Sequence, residues 1–259
     1  MLVNPTTGRN NIFDRAARLT GPAALDFMNR ARAIVFGIGG VGSWTAETLV
    51  RSGFSDITLV DADCVAVSNI NRQLPALVST IGRLKVEVMK EHLLDINPEA
   101  TVRAIHGLYD ADTAGNYCLE NFDYIFDCID SLSAKALLIL NATEAMRVSK
   151  RVRFYSSMGA ALKTDPSRIA VAEFWKVKGC PLAAALRRRF KKSDLMPRHK
   201  FKCVYSDELV PRHPDYVDQE AADTAMTFGK VATNGSLMHI TSIFGITLAS
   251  LAVRDAMAR

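Results

Sequence analysis

A glycine turn, a pair of cations and three acidic positions are spaced through the first half of the chain in a way that suits phosphate chemistry. Gly37-Ile38-Gly39-Gly40-Val41-Gly42 follows an apolar run and opens a helical pattern, the setting a glycine-rich phosphate loop requires. Glycines let the backbone turn tightly and pass close to phosphate oxygens. The helix start behind them offers unbonded N–H groups and a partial positive charge. Asp61 closes the next apolar run, about 20 residues on, where a carboxylate can accept from ribose hydroxyls. These features alone suit NAD or FAD as well as ATP.

The residues that follow separate the choices. Asp63 is succeeded by Ser68-Asn69-Ile70-Asn71-Arg72-Gln73 and then by Gly82-Arg83-Leu84-Lys85. Hydride transfer has no phosphoryl departure to assist. A triphosphate losing pyrophosphate builds charge on the leaving phosphates, which Arg72 and Lys85 can neutralise and Asn69 can hydrogen-bond. Asp127-Cys128-Ile129-Asp130 closes a further apolar run, and Asp130 supplies a hard oxygen suited to Mg²⁺ bound together with phosphates. ATP and Mg²⁺ are therefore the expected cofactors, with Asp130 the metal ligand.

Positioning these side chains requires alternating strands and helices. Short apolar runs at 33–36, 56–60, 101–105 and 124–126 read as strands, and 40–52, 85–96 and 134–145 as helices; Val86, Met89, Leu93 and Ile96 recur at helical spacing with Pro98 beyond the end. The alternation predicts an α/β, Rossmann-like, mostly parallel sheet with helices on both faces, its ligand beyond the strands' carboxyl ends. The second half is less regular. It offers a strand at 168–174, a helix at 181–190 led by Pro181, and long loops expected over 191–230. The apolar stretch 231–253 carries Asn234, Ser236, His239, Thr241 and Ser242 and reads as a buried or interface helix rather than a membrane span. Membrane contact is expected to be peripheral at most.

The fragments GIGGVGS, DAD, SNINRQ, GRLKVEV and DCIDS, in this order, resemble the ubiquitin-activating-type (ThiF-like) adenylating enzymes, which include the bacterial activators of sulfur-carrier proteins. The likeness runs over roughly residues 13 to 160. It implies that Gly37, Gly39, Gly40 and Gly42 approach the nucleotide, that Asp61 holds the ribose, that Asn69, Arg72 and Lys85 contact phosphates, and that Asp130 binds Mg²⁺. Gln73 takes a supporting role, and Asp63 stands behind the contacting residues. Phe13 to Leu19 resembles the family's opening, where an arginine reaches the ATP of the other subunit of a homodimer. Arg15 is the better positional match and Arg18 the second. The whole chain is expected to form one such adenylating domain, with residues 161–259 serving substrate and dimer contacts.

Sulfur-carrier activators of this family usually hold zinc on two C-x-x-C pairs, and this chain has none. Its five cysteines, at 64, 118, 128, 180 and 203, form no disulfide framework and point to a reducing, cytoplasmic setting. The polar start MLVNPTTGRNN has no signal-peptide pattern. Cys64 and Cys128 fall near strand ends, and Cys180 and Cys203 are candidates for a persulfide or thioester. The stretches 180–190 and 201–208, with ARLTG and VSNINRQLPAL, resemble the tRNA threonylcarbamoyladenosine dehydratases. Arg187, Arg188, Arg189, Lys191, Lys192, Arg198, Lys200 and Lys202, beside His199, make a candidate tRNA-backbone contact, with Tyr205 or Phe201 as base-stacking surfaces. The net charge of +5 permits a polyanionic partner without requiring one. The resemblance implies adenylation of the threonyl carboxylate by ATP, then cyclising loss of water with release of AMP and pyrophosphate. The expected partners are tRNA and a second copy of the chain, with a sulfur-transfer protein also a candidate and DNA not expected. Activation of the C-terminal Gly-Gly of a sulfur-carrier or ubiquitin-like protein is the alternative.

Overall fold

The computed structural model describes residues 12–213 and 234–259. Two short helices, α1 (Asp14–Thr20) and α2 (Pro22–Arg30), lead into β1 (Arg32–Phe36). Then follow α3 (Gly42–Arg51), β2 (Asp56–Asp61), α4 (Lys85–Ile96), β3 (Thr101–His106), β4 (Tyr124–Asp127), α5 (Leu132–Val148) and β5 (Arg153–Ser157). The chain continues through β6 (Ile169–Glu173), α6 (Pro181–Ser193), β7 (Lys202–Ser206) and α7 (Met238–Met257). The strands form one sheet in the order β3-β2-β1-β4-β5-β7-β6, parallel except for β6 against β7.

Central parallel strands are covered on both faces and so read as unbroken apolar runs. In β1, Ala33 and Val35 enter one core, whereas Ile34 and Phe36 enter the other, as the two-residue side-chain period demands. The first core is closed by α2, α3, α4 and α7 through Met28, Leu49, Met89 and Phe244; the second by α5 and α6 through Leu138, Ile139, Leu186 and Phe190. The fold is thus of the expected class.

Among the described residues α7 is the one helix long and apolar enough to cross a membrane, but Ile240, Phe244, Leu248 and Leu251 are buried in the first core. Each such side chain contributes about 1.5–3 kcal/mol over an exposed one, so packing alone accounts for the apolar stretch. The crossing of α7 over α3 is close. A Cβ at Gly245 would lie 2.3 Å from the Val41 carbonyl oxygen, and Thr45 Oγ1 donates to the Gly245 carbonyl at 3.2 Å.

Three expectations need correction. Residues 202–206 form β7 rather than loop, a short strand hidden among charges and prolines, with Cys203 and Val204 wholly buried. The strand expected over 168–174 stops at Glu173, and Phe174 begins a 3-10 turn. β5 had no counterpart in the sequence reading, because its buried Ser156 and Ser157 interrupt the apolar run. The expectations for 214–230 and 231–233 lie outside the described residues.

Candidate active site

β1 and β4 lie side by side, yet the chain leaves β1 toward β2 and β3 before returning to β4. Their connections diverge and open a crevice beyond the carboxyl ends of the strands. The glycine turn lines it. Gly37 has φ +85°, and a Cβ there would meet the Cys128 carbonyl oxygen at 2.8 Å. At Gly42 a Cβ would fall 1.7 Å from the Gly37 carbonyl oxygen, and at Gly40 it would press on Thr241 of α7 at 3.1 Å. Packing demands glycine at 37 and 42, where a Cβ would strike backbone, whereas at 40 the Thr241 side chain would have to give by a few tenths of an ångström. Gly39 differs: the nearest atom to its Cβ position is Gln73 Nε2 at 3.7 Å, so its Cβ side is the more open one.

Asp61, Asp63 and Lys85 reach this neighbourhood by traceable routes. Asp61, at the end of β2, accepts the Ile38 N–H at 2.5 Å and the Asp63 N–H at 2.8 Å, so it also holds the glycine turn in shape. Burial raises its pKa, with the charge of Lys85 opposing. Lys85 opens α4; an isolated bridge between Cys64 and Leu84 and a hydrogen bond from Lys85 N to the Asp63 carbonyl bring it beside β2. Its ammonium is buried and donates to Asp63 Oδ2 at 2.7 Å. Asn69 Oδ1 accepts the Ala66 N–H at 3.2 Å, leaving the amide's NH₂ as its donor end.

Arg72 is half-buried and donates to the Ser68 carbonyl at 2.7 Å and to Asn71 Oδ1 at 2.9 Å. Burial lowers its pKa while the charge of Asp130 raises it, so Asp130 lies near enough for its charge to be felt. Asp130 is exposed there. Gln73 is buried, and its Oε1 has no hydrogen-bond partner among the described residues. A buried acceptor without a partner is uncommon, and this one sits beside the glycine turn where a ligand hydroxyl or amine could satisfy it. Ser43 ties the two turns together, donating to the Gly39 carbonyl at 2.7 Å and accepting the Leu74 N–H at 3.3 Å.

An ATP fits this arrangement: the glycine turn is open at Gly39, and Gln73 Oε1 is orphaned beside it. Mg²⁺ fits as well. Among the described residues no group of three or more His, Cys, Asp or Glu is arranged to hold a metal, but Mg²⁺ commonly binds through one carboxylate with phosphates and water supplying the rest. Asp130 is a carboxylate of that kind.

Other expected residues lie elsewhere. Arg15 is exposed on α1, at the strands' amino ends: a Cβ on Gly53 would meet Leu25 at 2.4 Å and Phe13 at 4.0 Å, and Asn29 bonds Ser55. Within its own chain Arg15 is therefore at the opposite end of the sheet from the glycine turn. Arg18 pairs with Asp14 at 2.9 Å. Arg187 does not belong to a free basic surface. Its Nη1 donates to the Phe174 and Val177 carbonyls at 3.1 and 3.0 Å, clamping the turn before α6. Phe201 cannot stack on a base, because it is buried against Phe154 and Phe174 with ring centroids 5.0 Å away in each case. Arg188, Lys191, Lys192, Arg198, Lys200 and Lys202 are exposed. Arg189 reaches Ser133 Oγ at 3.4 Å, in the first turn of α5 just beyond Asp130, so the basic face abuts the crevice rim.

The cysteine candidates are also corrected. Cys180 and Cys203 are buried, and burial pushes the Cys203 thiol far above its usual range. Burial likewise pushes Cys128 up to about 12. A protonated, buried thiol is a poor nucleophile.

Sequence reasoning passed over a buried ionic group directly under the crevice. Lys135 Nζ donates to Asp127 Oδ2 at 2.7 Å, both side chains wholly inaccessible, and Ser156 Oγ donates to the same oxygen at 2.6 Å. A lone lysine among Ala136, Leu138 and Ile139 on the buried side of α5 was the available signal. Removing one partner of such a pair typically costs about 3–5 kcal/mol, whereas replacing both with neutral groups of similar volume is often tolerated.

Comparison with known proteins is consistent with this geometry. A model of the ThiF family matches residues 13–254. The tRNA threonylcarbamoyladenosine dehydratase of Haemophilus influenzae is 37% identical over 238 residues, 90% of this chain and 88% of that protein. The crystal structure of the Escherichia coli tRNA N6-threonylcarbamoyladenosine dehydratase, TcdA, with ATP superposes with a TM-score of 0.79 at 34% identity, covering 95% of this chain and 93% of that one. Its complex with AMP gives 0.81 at 33% identity, covering 99% and 98%.

Proposed function

This chain belongs to the ThiF family, and from that premise we propose that it uses ATP to convert the threonylcarbamoyladenosine of tRNA into its cyclic, dehydrated form. The observation that carries the reading is the glycine turn beyond the strands' carboxyl ends, open at Gly39 and flanked by a buried Gln73 whose Oε1 has no partner among the described residues. The near full-length likeness to dehydratases favours this substrate over the Gly-Gly terminus of a carrier protein.

The threonyl carboxylate oxygen attacks the α-phosphorus of ATP, and pyrophosphate leaves. Arg72 and Lys85 stabilise the charge that gathers on the departing phosphates, Asn69 donates to them, Asp61 orients the ribose, and Gln73 Oε1 takes up a ligand donor. Asp130 would hold Mg²⁺, which when bound screens the triphosphate charge. An atom of the substrate's carbamoyl group then attacks the activated carbonyl, a five-membered ring closes, a proton is lost and AMP departs. Both reacting groups belong to one bound residue, which replaces a bimolecular encounter with an intramolecular one. This route needs no enzyme thiol, and Cys180 and Cys203 are buried out of a sulfur-transfer protein's reach.

A homodimer accords with the exposed Val67, Ile70, Leu77, Val78 and Ile81 on the connection from β2 to α4. This connection meets the start of α7, where Asn71 Nδ2 donates to the Ser236 carbonyl at 2.9 Å and Leu237 and Met238 are also exposed. Burying such a surface against a second copy would remove apolar side chains from water. Residues 161–259 would supply the tRNA side through the basic face of α6.

Pyrophosphate release with ATP, measured on cellular tRNA and on an unmodified transcript, tests this reading. Release is expected with cellular tRNA only. Equal release with both, or release only with a Gly-Gly carrier protein, would overturn it.

A further inference from the structure

We propose that Asp127, Lys135 and Ser156 form a buried positioning unit that fixes Asp130 relative to the glycine turn. The inference rests on reading Asp130 as the Mg²⁺ ligand. Asp127 ends β4, and its carboxylate joins four pieces of chain. Oδ2 takes Lys135 Nζ from α5 at 2.7 Å and Ser156 Oγ from β5 at 2.6 Å, while Oδ1 takes the Ile129 N–H at 3.1 Å. The last contact bends the chain immediately before Asp130. On the other side, Lys135 N donates to the Ser131 carbonyl at 3.0 Å and starts α5. Asp130 is therefore suspended between two fixed points, Ile129 and Ser131.

The same turn is also locked to the nucleotide side. Cys128 N donates to the Phe36 carbonyl at 2.9 Å, and the Cys128 carbonyl oxygen approaches Gly37 so closely that a Cβ there would be 2.8 Å away. Any shift of the 127–131 turn must move against the glycine loop or against the ion pair. Lys135 is flanked on α5 by Ala136, Leu138 and Ile139, which pack in the second core, and an apolar side chain of its length would fill its place. Buried ion pairs add little stability over apolar replacements. What the pair supplies is direction: a charged hydrogen bond that admits one arrangement of the turn. Residues supporting a metal ligand typically matter by about 10- to 100-fold in metal affinity or activity.

The test replaces both charges at once, Asp127→Asn with Lys135→Met, and reads the metal-free protein as well as the loaded one. Amide hydrogen exchange at 128–131, without nucleotide or metal, is expected to accelerate about tenfold or more. The Mg²⁺ midpoint for binding a fluorescent ATP analogue is expected to rise about 10- to 100-fold, with Mg²⁺-independent analogue binding within about threefold. If a melting curve establishes that the variant is folded and both the exchange and the midpoint match the native protein, the pair is merely structural and the inference is wrong. If the double variant does not fold, Ser156→Ala decides: a raised midpoint supports the unit and an unchanged one refutes it. Asp130→Asn separates the underlying reading. An unchanged midpoint there removes the metal ligand itself, whatever the pair does.

Discussion

Arg72 is the residue on which the proposed chemistry turns most directly. Its guanidinium is half-buried, and the charge of Asp130 raises its pKa against the effect of burial; a cation so placed gains strength from the reduced water around it. Arg72→Ala should lower ATP–pyrophosphate exchange on the order of 10²- to 10³-fold while changing the melting temperature little, since its two hydrogen bonds are made at the surface of its own turn. Exchange within threefold of native would remove Arg72 from the site. At this scale the sequence was informative where chemistry dictates residue type: Asp61 accepts from the glycine turn, and Lys85 is buried against Asp63 two residues further on. It was uninformative where the role depends on which way a side chain turns. Arg187 reads as surface charge but caps carbonyls inside the turn before α6, Phe201 reads as a stacking ring but fills the core, and Lys135 reads as one lysine among many but is wholly buried.

At the scale of elements, the parallel centre of the sheet was legible because burial on both faces writes itself as apolar runs, as in β1 and β4. β5 and β7 were not, because their buried positions include serine and cysteine and their neighbours are charged. The edge of the sheet is held by a different device. Glu208, just past β7, accepts the Asp165 and Thr164 N–H groups and the Thr164 hydroxyl at 2.8–2.9 Å. These bonds, the Asp165 N–H first, bring its pKa down to about 2. A lowered acid pKa stabilises the fold at pH above the unfolded value of about 4.3, and the contribution disappears as pH falls through the folded value. Glu208→Gln should therefore unfold at lower urea than the native protein at pH 7, with the gap narrowing between about pH 4.3 and 2. A gap independent of pH would mean the carboxylate charge is irrelevant there.

For the molecule as a whole, the separation of Arg15 from its own glycine turn carries the strongest consequence. If each site borrows Arg15 from a partner, mixing Arg15→Ala and Arg72→Ala protomers should restore activity, because half of the randomly mixed dimers pair one intact arginine of each kind and so carry one complete site, roughly a quarter of native turnover. No recovery after subunit exchange would exclude action across the interface. The basic face is a second whole-molecule property. Replacing Arg188, Lys191 and Lys192 with Gln should weaken tRNA binding and reduce the dependence of log K on log salt by about two to three, leaving ATP affinity unchanged. An unaltered salt slope would move the tRNA contact elsewhere. The central claim concerns the product, and mass analysis of nucleosides from tRNA treated with this protein and ATP tests it most directly. The account predicts that threonylcarbamoyladenosine loses one water, in step with AMP formation and only when ATP is present. AMP formed while the nucleoside mass stays unchanged would contradict it.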